Sequence, residues 1–186
     1  MTAPGSSEES EIKIPVPDLP AVRRRLSGAE RLSGIHLESN VLFDDAAGRL
    51  LASGTALRLR RARGRALVTF KGRAAFEGAV KRREELETEV ADAATFERVL
   101  ERLGFVPKFR YDKRREEFRF AGCVVALDET PIGTFVEIEG EPSAIEAAAT
   151  DLGLDPRHAV RDSYAGLYRR ARESDPSLPP DMVFQA

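Results

Sequence analysis

Charged and apolar residues alternate in segment after segment of this chain, and the charged positions carry like signs two residues apart. Glu9, Glu11 and Lys13 alternate with Ser10, Ile12 and Ile14. Arg58 and Arg60 follow, then Arg83, Glu85, Glu87 and Glu89, then Lys113 and Arg115, and finally Glu137 and Glu139. Side chains two apart on a strand share one face, so each segment has one apolar and one ionic face. Any one such strand suits a sheet with a single wet face. A set of them repeats one sign at intervals of about 6.5–7 Å, and same-sign rows are more natural where a ligand binds between them. About eight antiparallel strands can close into a barrel that holds one small ligand. The expected fold is therefore α+β: a single-domain, eight-stranded antiparallel β-barrel or tunnel with a charged interior, its helices packed outside.

The chain has 186 residues, enough for one domain with a sizeable core. It is 42% hydrophobic and 32% charged with a net charge of −2, so no overall field draws it to nucleic acid or an anionic membrane. Basic runs such as Arg23-Arg24-Arg25 and Arg169-Arg170 lack interleaved aromatics and read as exposed helix faces. No stretch approaches transmembrane length and residues 1–10 show no apolar signal segment, which gives a cytoplasmic expectation with no membrane partner. Cys123, the single cysteine, excludes an internal disulfide and falls in the apolar phase of a strand, as a small core residue would.

Residues 1–8 are small and polar and are expected to be disordered. Strands are predicted at 9–16, 35–44, 55–63, 65–71, 81–90, 107–120, 122–128 and 134–139. Helices are predicted after Asp18, after Asp92 with the stripe Phe96, Val99, Leu100 and Leu103, at 142–152, and near 161–172. Tyr164 and Tyr168, at helical spacing with Leu167, read as packing residues, and His158 as a surface residue. His36 shares the phase of Glu38 and Asn40 at the tunnel edge, with no second histidine to make a site. The domain is expected over 9–172, followed by a proline-rich, flexible tail over 173–186.

The residue types on the ionic faces suit a metal–polyphosphate ligand. Arginine offers paired donors to phosphate oxygens and lysine a compact charge, while carboxylates suit Mg²⁺ or Mn²⁺. The same residues carry a family resemblance. Glu9-x-Glu11-x-Lys13 resembles the ExExK signature of the CYTH superfamily, the triphosphate tunnel metalloenzymes. Ala56 to Arg60, Phe70-Lys71-Gly72, Arg83-x-Glu85-x-Glu87, Lys113-x-Arg115, Leu127-Asp128 and Gly133 to Gly140 follow in family order. Asp162-Ser163-Tyr164 resembles the family's closing helix, so the likeness spans roughly residues 9–170.

The resemblance implies that Lys13, Arg58, Arg60, Lys71, Arg83, Lys113 and Arg115 grip a triphosphate, with Lys71 also catalytic. It implies that Glu9, Glu11, Glu85, Glu87, Asp128, Glu137 and Glu139 supply metal ligands, directly or through water, with Mg²⁺ or Mn²⁺ as cofactor. Members include class IV adenylate cyclases and inorganic or thiamine triphosphatases, so the substrate would be ATP, tripolyphosphate or thiamine triphosphate. The protein would act as a monomer or homodimer. Some inorganic triphosphatases of the family pair a tyrosine on the second strand with a lysine to activate water. Here that strand, Glu38 to Asp44, has no tyrosine. Cyclisation of ATP stays first, hydrolysis second, and a non-catalytic polyphosphate or nucleotide sensor third.

Overall fold

The structure, a computed structural model, describes residues 7–185. Nine strands form one antiparallel sheet: β1 (Ser7–Pro15), β2 (Glu30–Asp45), β3 (Ala56–Ala62), β4 (Arg65–Lys71), β5 (Ala75–Glu77), β6 (Val80–Glu89), β7 (Phe105–Phe120), β8 (Cys123–Thr130) and β9 (Gly133–Glu139). Their order is β1-β9-β8-β7-β2-β3-β4-β6-β5, and β1 also pairs with β6. That last pairing closes eight strands into a barrel and leaves β5 as an extra strand on β6. The helices α1 (Leu19–Arg25), α2 (Arg49–Ser53), α3 (Ala93–Arg102), α4 (Pro142–Asp151) and α5 (Tyr164–Ser174) are placed around it.

The alternation decides which face is inside, because Glu9, Glu11 and Lys13 point to the interior while Ile12 and Ile14 point out and are buried. The main core thus lies outside the barrel wall. Ile12, Ile14, Val125, Leu127, Val136 and Ile138 pack there with Leu19 and Val22 of α1 and with Ile145, Ala148 and Ala149 of α4. Cys123 is buried in the same core. A second outer core sets Val41, Phe43 and Leu59 against Leu100 of α3. A third cluster, Tyr111, Phe135, Tyr164, Tyr168 and Met182, joins α5 to the barrel.

Local sequence explains the connections. Asp18 and Asp92 accept backbone N–H groups at the starts of α1 and α3. Arg63 and Gly64, with φ of 53° and 74°, make the two-residue turn between β3 and β4. Ala121 and Gly122, at 51° and 78°, do the same between β7 and β8, and two positive φ values match the right-handed twist of the joined strands. The basic triplet is not simply a solvated face: Arg23 donates to the buried Glu116 of β7 at 2.6 Å, and Arg25 to Leu152 O at 2.5 Å. Both contacts pin α1 to its neighbours.

Several expectations need correcting. Strand β1 begins at Ser7, so residues 7 and 8 belong to the sheet, whereas the expected disorder of residues 1–6 falls outside the described residues. Strand β2 starts at Glu30; its first turns lack alternation because the register shifts between Arg31, Ser33 and His36. The three-residue β5 is too short to leave a period. On α3 only part of the apolar stripe is covered: Val99 is 46% exposed and Leu103 68% exposed, because one helix on a convex wall buries a narrow line.

The tail departs most. Met182 N donates to Arg110 O at 3.0 Å and Asp112 N to Met182 O at 2.9 Å, so the chain bridges to β7. The Met182 side chain is 1% exposed, and the Tyr168 hydroxyl donates to Pro179 O at 2.8 Å. The packed structure therefore extends through Met182 rather than ending near residue 172. Met182→Ala is expected to cost about 2–5 kcal/mol, as for other buried large-to-small changes, measured by urea unfolding; a loss below about 0.5 kcal/mol contradicts this packing.

Candidate functional site

The barrel encloses a cavity of about 570 Å³, a size that suits a nucleotide-sized ligand. Lys13, Arg58, Arg60, Lys71, Arg83, Lys113 and Arg115 all line it, as do Glu9, Glu11, Glu85, Glu87, Glu137 and Glu139. Of the residues expected from the sequence, Asp128 alone lies behind the wall, fully buried. A smaller depression beside the β3–β4 hairpin contains Arg61, Arg65 and Glu89, but there the arginines are already paired with Glu97 and Glu89 near solvent. Glu89 and Arg119, which share the inward phase, end in exposed pairs with Arg65 and Glu30.

Three ion-pair groups line the interior. In the first, Asp128 accepts from Arg115 at 2.7 and 2.6 Å, from Lys113 at 3.1 Å and from the Tyr164 hydroxyl at 2.7 Å. Glu137 is bonded to Arg115 and lies 3.3 Å from Lys13. In the second, Glu85 is bonded to Lys71 and accepts from Arg83 at 2.7 Å, while Glu11 accepts from Lys81 at 2.8 Å. In the third, Glu87 accepts from Arg60 at 3.0 Å and from Thr69 at 2.7 Å, and Arg58 donates to Thr69 at 3.0 Å. Strand register sets these groups, since Lys71 faces Glu85, Arg115 faces Asp128, and Lys13 faces Glu137.

Electrostatics separate the acids. Burial pushes the Glu137 carboxyl up, but Lys113, Arg115 and Lys13 outweigh it and hold the group well below the usual range. Glu11 behaves alike: burial opposes ionisation, yet Lys81 leads the charges that hold it at about 2. Glu9 and Glu139 go the other way. Burial, then Glu85 and Glu139, raise Glu9 to about 7; burial and Glu11 raise Glu139. Lys71 is lowered to about 7, chiefly by burial and then by Arg58 and Arg83, which outweigh its partner Glu85.

These shifts bear on a metal. Glu9 and Glu139 are oxygen donors crowded by other carboxylates, and a hard divalent cation relieves such repulsion. The donor chemistry fits, with Glu11 and Glu137 beside them on the same wall. Among the described residues no group of three acids is drawn together as a finished coordination sphere, because Glu11, Glu85 and Glu137 are turned toward lysines and arginines.

Sequence reasoning passed over several interior groups. Glu38, 3% exposed, lies 3.3 Å from Arg60 and 3.4 Å from Lys113; its phase beside Asn40 was visible, its partners were not. Lys81 stands two residues before Arg83 on the same face of β6, and that spacing was the available signal. Tyr164 packs in the aromatic cluster as expected; in addition its hydroxyl reaches Asp128 and its ring faces the Lys13 ammonium at 4.0 Å. His36 lies 3.7 Å from Glu38 and donates from Nδ1 to Gly34 O at 2.8 Å, off the cavity wall.

The CYTH domain model matches residues 7–162, most of the chain and every strand of the barrel. The chain belongs to the CYTH family. It therefore has the fold of a family of metal-dependent proteins that process triphosphates. Solved structures share the architecture. A proposed adenylate cyclase from Vibrio parahaemolyticus superposes with a TM-score of 0.78 at 20% identity, over 89% of this chain and 99% of that one. A Pyrococcus horikoshii protein gives 0.75 at 25% identity, over 88% and 99%. A Hippeastrum protein, proposed as an adenylyl cyclase and described as having a dominant triphosphatase activity, gives 0.68 at 24% identity, over 94% and 99%. A search of curated proteins found no match. Among the described residues no helix is long and apolar enough to cross a membrane.

Proposed function

We propose that this CYTH protein is a divalent-metal-dependent enzyme that converts ATP to cyclic AMP and pyrophosphate, in the manner of class IV adenylate cyclases. The observation that carries the reading is the convergence of eight lysines and arginines on one cavity whose wall also holds Glu9 and Glu139, acids crowded by other carboxylates. Buried ion pairs cost desolvation that their attraction barely repays. An interior built of them suits a polyanion that takes over the cations and leaves the acids to a metal.

Arg58, Arg60, Arg83 and Arg115 would hold phosphate oxygens through paired donors, and Lys13, Lys71 and Lys113 would add compact charges. A triphosphate beside Lys71 favours its charged form, so binding would draw the ammonium from Glu85 toward the phosphoryl group that carries developing charge. Glu9, Glu11, Glu137 and Glu139, with Glu85 and Glu87 nearby, would hold Mg²⁺ or Mn²⁺. When bound, such a cation neutralises charge on the phosphate oxygens. Asp128 keeps Lys113 and Arg115 in place for the same ligand.

Leu42, Leu51 and Tyr111 belong to the same wall as Arg58. They give the nucleoside an apolar surface that an inorganic triphosphate does not need, which favours ATP. In cyclisation the ribose 3′-oxygen attacks the α-phosphorus and pyrophosphate leaves. Hydrolysis of inorganic, nucleoside or thiamine triphosphate is the second reading, supported by the activity described for the Hippeastrum protein. The inner face of β2, with Glu38, Asn40 and Leu42, offers no tyrosine for a tyrosine–lysine pair. Chromatography of products from ATP with Mn²⁺ or Mg²⁺ tests the choice: cyclic AMP with pyrophosphate is expected, and ADP with orthophosphate would transfer the assignment to a triphosphatase.

A further inference from the structure

We propose that Tyr164 is a positioning residue of this tunnel, whose ring face aims the ammonium groups of Lys13 and Lys113 into the cavity; the proposal rests on the triphosphate reading above. The Lys13 Nζ lies 4.0 Å from the centre of the Tyr164 ring and the Lys113 Nζ 5.4 Å from it. The two lysines come from β1 and β7, three strands apart around the barrel; both lie near the Glu137 carboxylate, at 3.3 and 3.8 Å, and the Tyr164 ring is the uncharged surface that both meet. A flexible lysine chain gives up much rotamer freedom when held to one geometry. An aromatic face in a desolvated site compensates part of that cost while leaving the ammonium donors free for phosphate oxygens.

The ring is itself held on every side. Its hydroxyl donates to Asp128 Oδ2 at 2.7 Å, the same oxygen that accepts from Lys113 and Arg115. Phe135 meets it edge-on with centroids 5.3 Å apart, and Tyr111 lies tilted at 6.1 Å. Ser163 caps α5 at Gly166 N, which fixes the first turn of the helix at the cavity wall. Lys13 further donates to Asp162 O at 3.3 Å, so the start of α5 grips this lysine twice. Packing alone would be served by any large apolar group; two cations over one ring is the feature that packing does not require.

Tyr168 provides a matched control. It is buried in the same aromatic cluster, one turn further along α5, and turns its hydroxyl to Pro179 O. The test is calorimetric affinity for tripolyphosphate in chelator, with steady-state kcat and KM alongside and thermal unfolding of every variant. Tyr164→Leu is expected to weaken binding roughly 10- to 30-fold, whereas Tyr164→Phe, which keeps the ring, and Tyr168→Leu should stay within about threefold. Tyr164→Met, unbranched and adaptable in a core, takes the place of the leucine variant if that one does not fold. The KM of Tyr164→Leu should rise with the dissociation constant. Equal losses in Tyr164→Leu and Tyr168→Leu, or Tyr164→Phe as weak as Tyr164→Leu, would overturn the proposal while leaving the triphosphate site intact. A wild-type protein that binds no triphosphate would overturn the reading of the tunnel, and the role of Tyr164 with it.

Discussion

Lys71→Ala should lower triphosphate turnover by about 100- to 1,000-fold, the loss typical of removing one preorganised donor to developing charge, while the protein stays folded. The side chain ends in the cavity against Glu85, and β4 places it opposite that residue in strict register. Its removal does not strand a buried carboxylate, because Arg83 still donates to Glu85 at 2.7 Å. Stability should therefore change far less than rate. Steady-state kinetics beside thermal unfolding check this, and activity within about threefold of wild type would remove Lys71 from the mechanism. Lys71→Arg should recover little, since a planar fork does not reproduce a compact ammonium.

The second large effect is expected from the acids of β9. Glu137→Gln combined with Glu139→Gln should abolish metal-dependent turnover, a loss of at least about 100-fold. Glutamine keeps the shape of each side chain and removes its charge, so the neighbours most exposed to the change are Lys113, Arg115 and Lys13, which pair with Glu137. Arg115 retains Asp128 through both nitrogens, which limits structural damage. Metal titration by calorimetry separates the causes: lost cation affinity with preserved tripolyphosphate affinity supports metal binding at these acids. Retained turnover at ordinary metal concentration would place the metal elsewhere.

The barrel was legible because its alternation is redundant. Five segments, in β1, β3, β6, β7 and β9, each repeat an ionic face, and a one-residue slip in β1, β3 or β9 would turn Lys13, Arg58 or Glu137 into the core. The lining was legible for the same reason, since phase alone assigns Arg58, Arg60, Lys71 and Glu85 to one side. Phase does not say what a side chain meets across the barrel. Glu38 and Lys81 shared the correct face, yet their roles depend on Lys113 and Glu11, which are remote in sequence. Asp128 has the inward phase too, but three donors draw it behind the wall.

Helical period is less informative still. Tyr164, Leu167 and Tyr168 announce an apolar stripe, and only the docking of the first turn of α5 against the barrel makes Tyr164 different from Tyr168. Val99 and Leu103 carry the same kind of stripe and remain exposed. Met182 sits in a proline-rich segment with no period at all, and its two backbone bonds to β7 are a tertiary event that composition cannot announce.

The ionic interior is proposed to serve a triphosphate and its metal. Turnover of ATP, tripolyphosphate and thiamine triphosphate, each measured with chelator and with added Mg²⁺ or Mn²⁺, tests it most directly. Turnover of at least one triphosphate, ATP foremost, is expected to vanish with chelator and return with the cation. Absence of turnover for all three, or turnover that persists without metal, would contradict it.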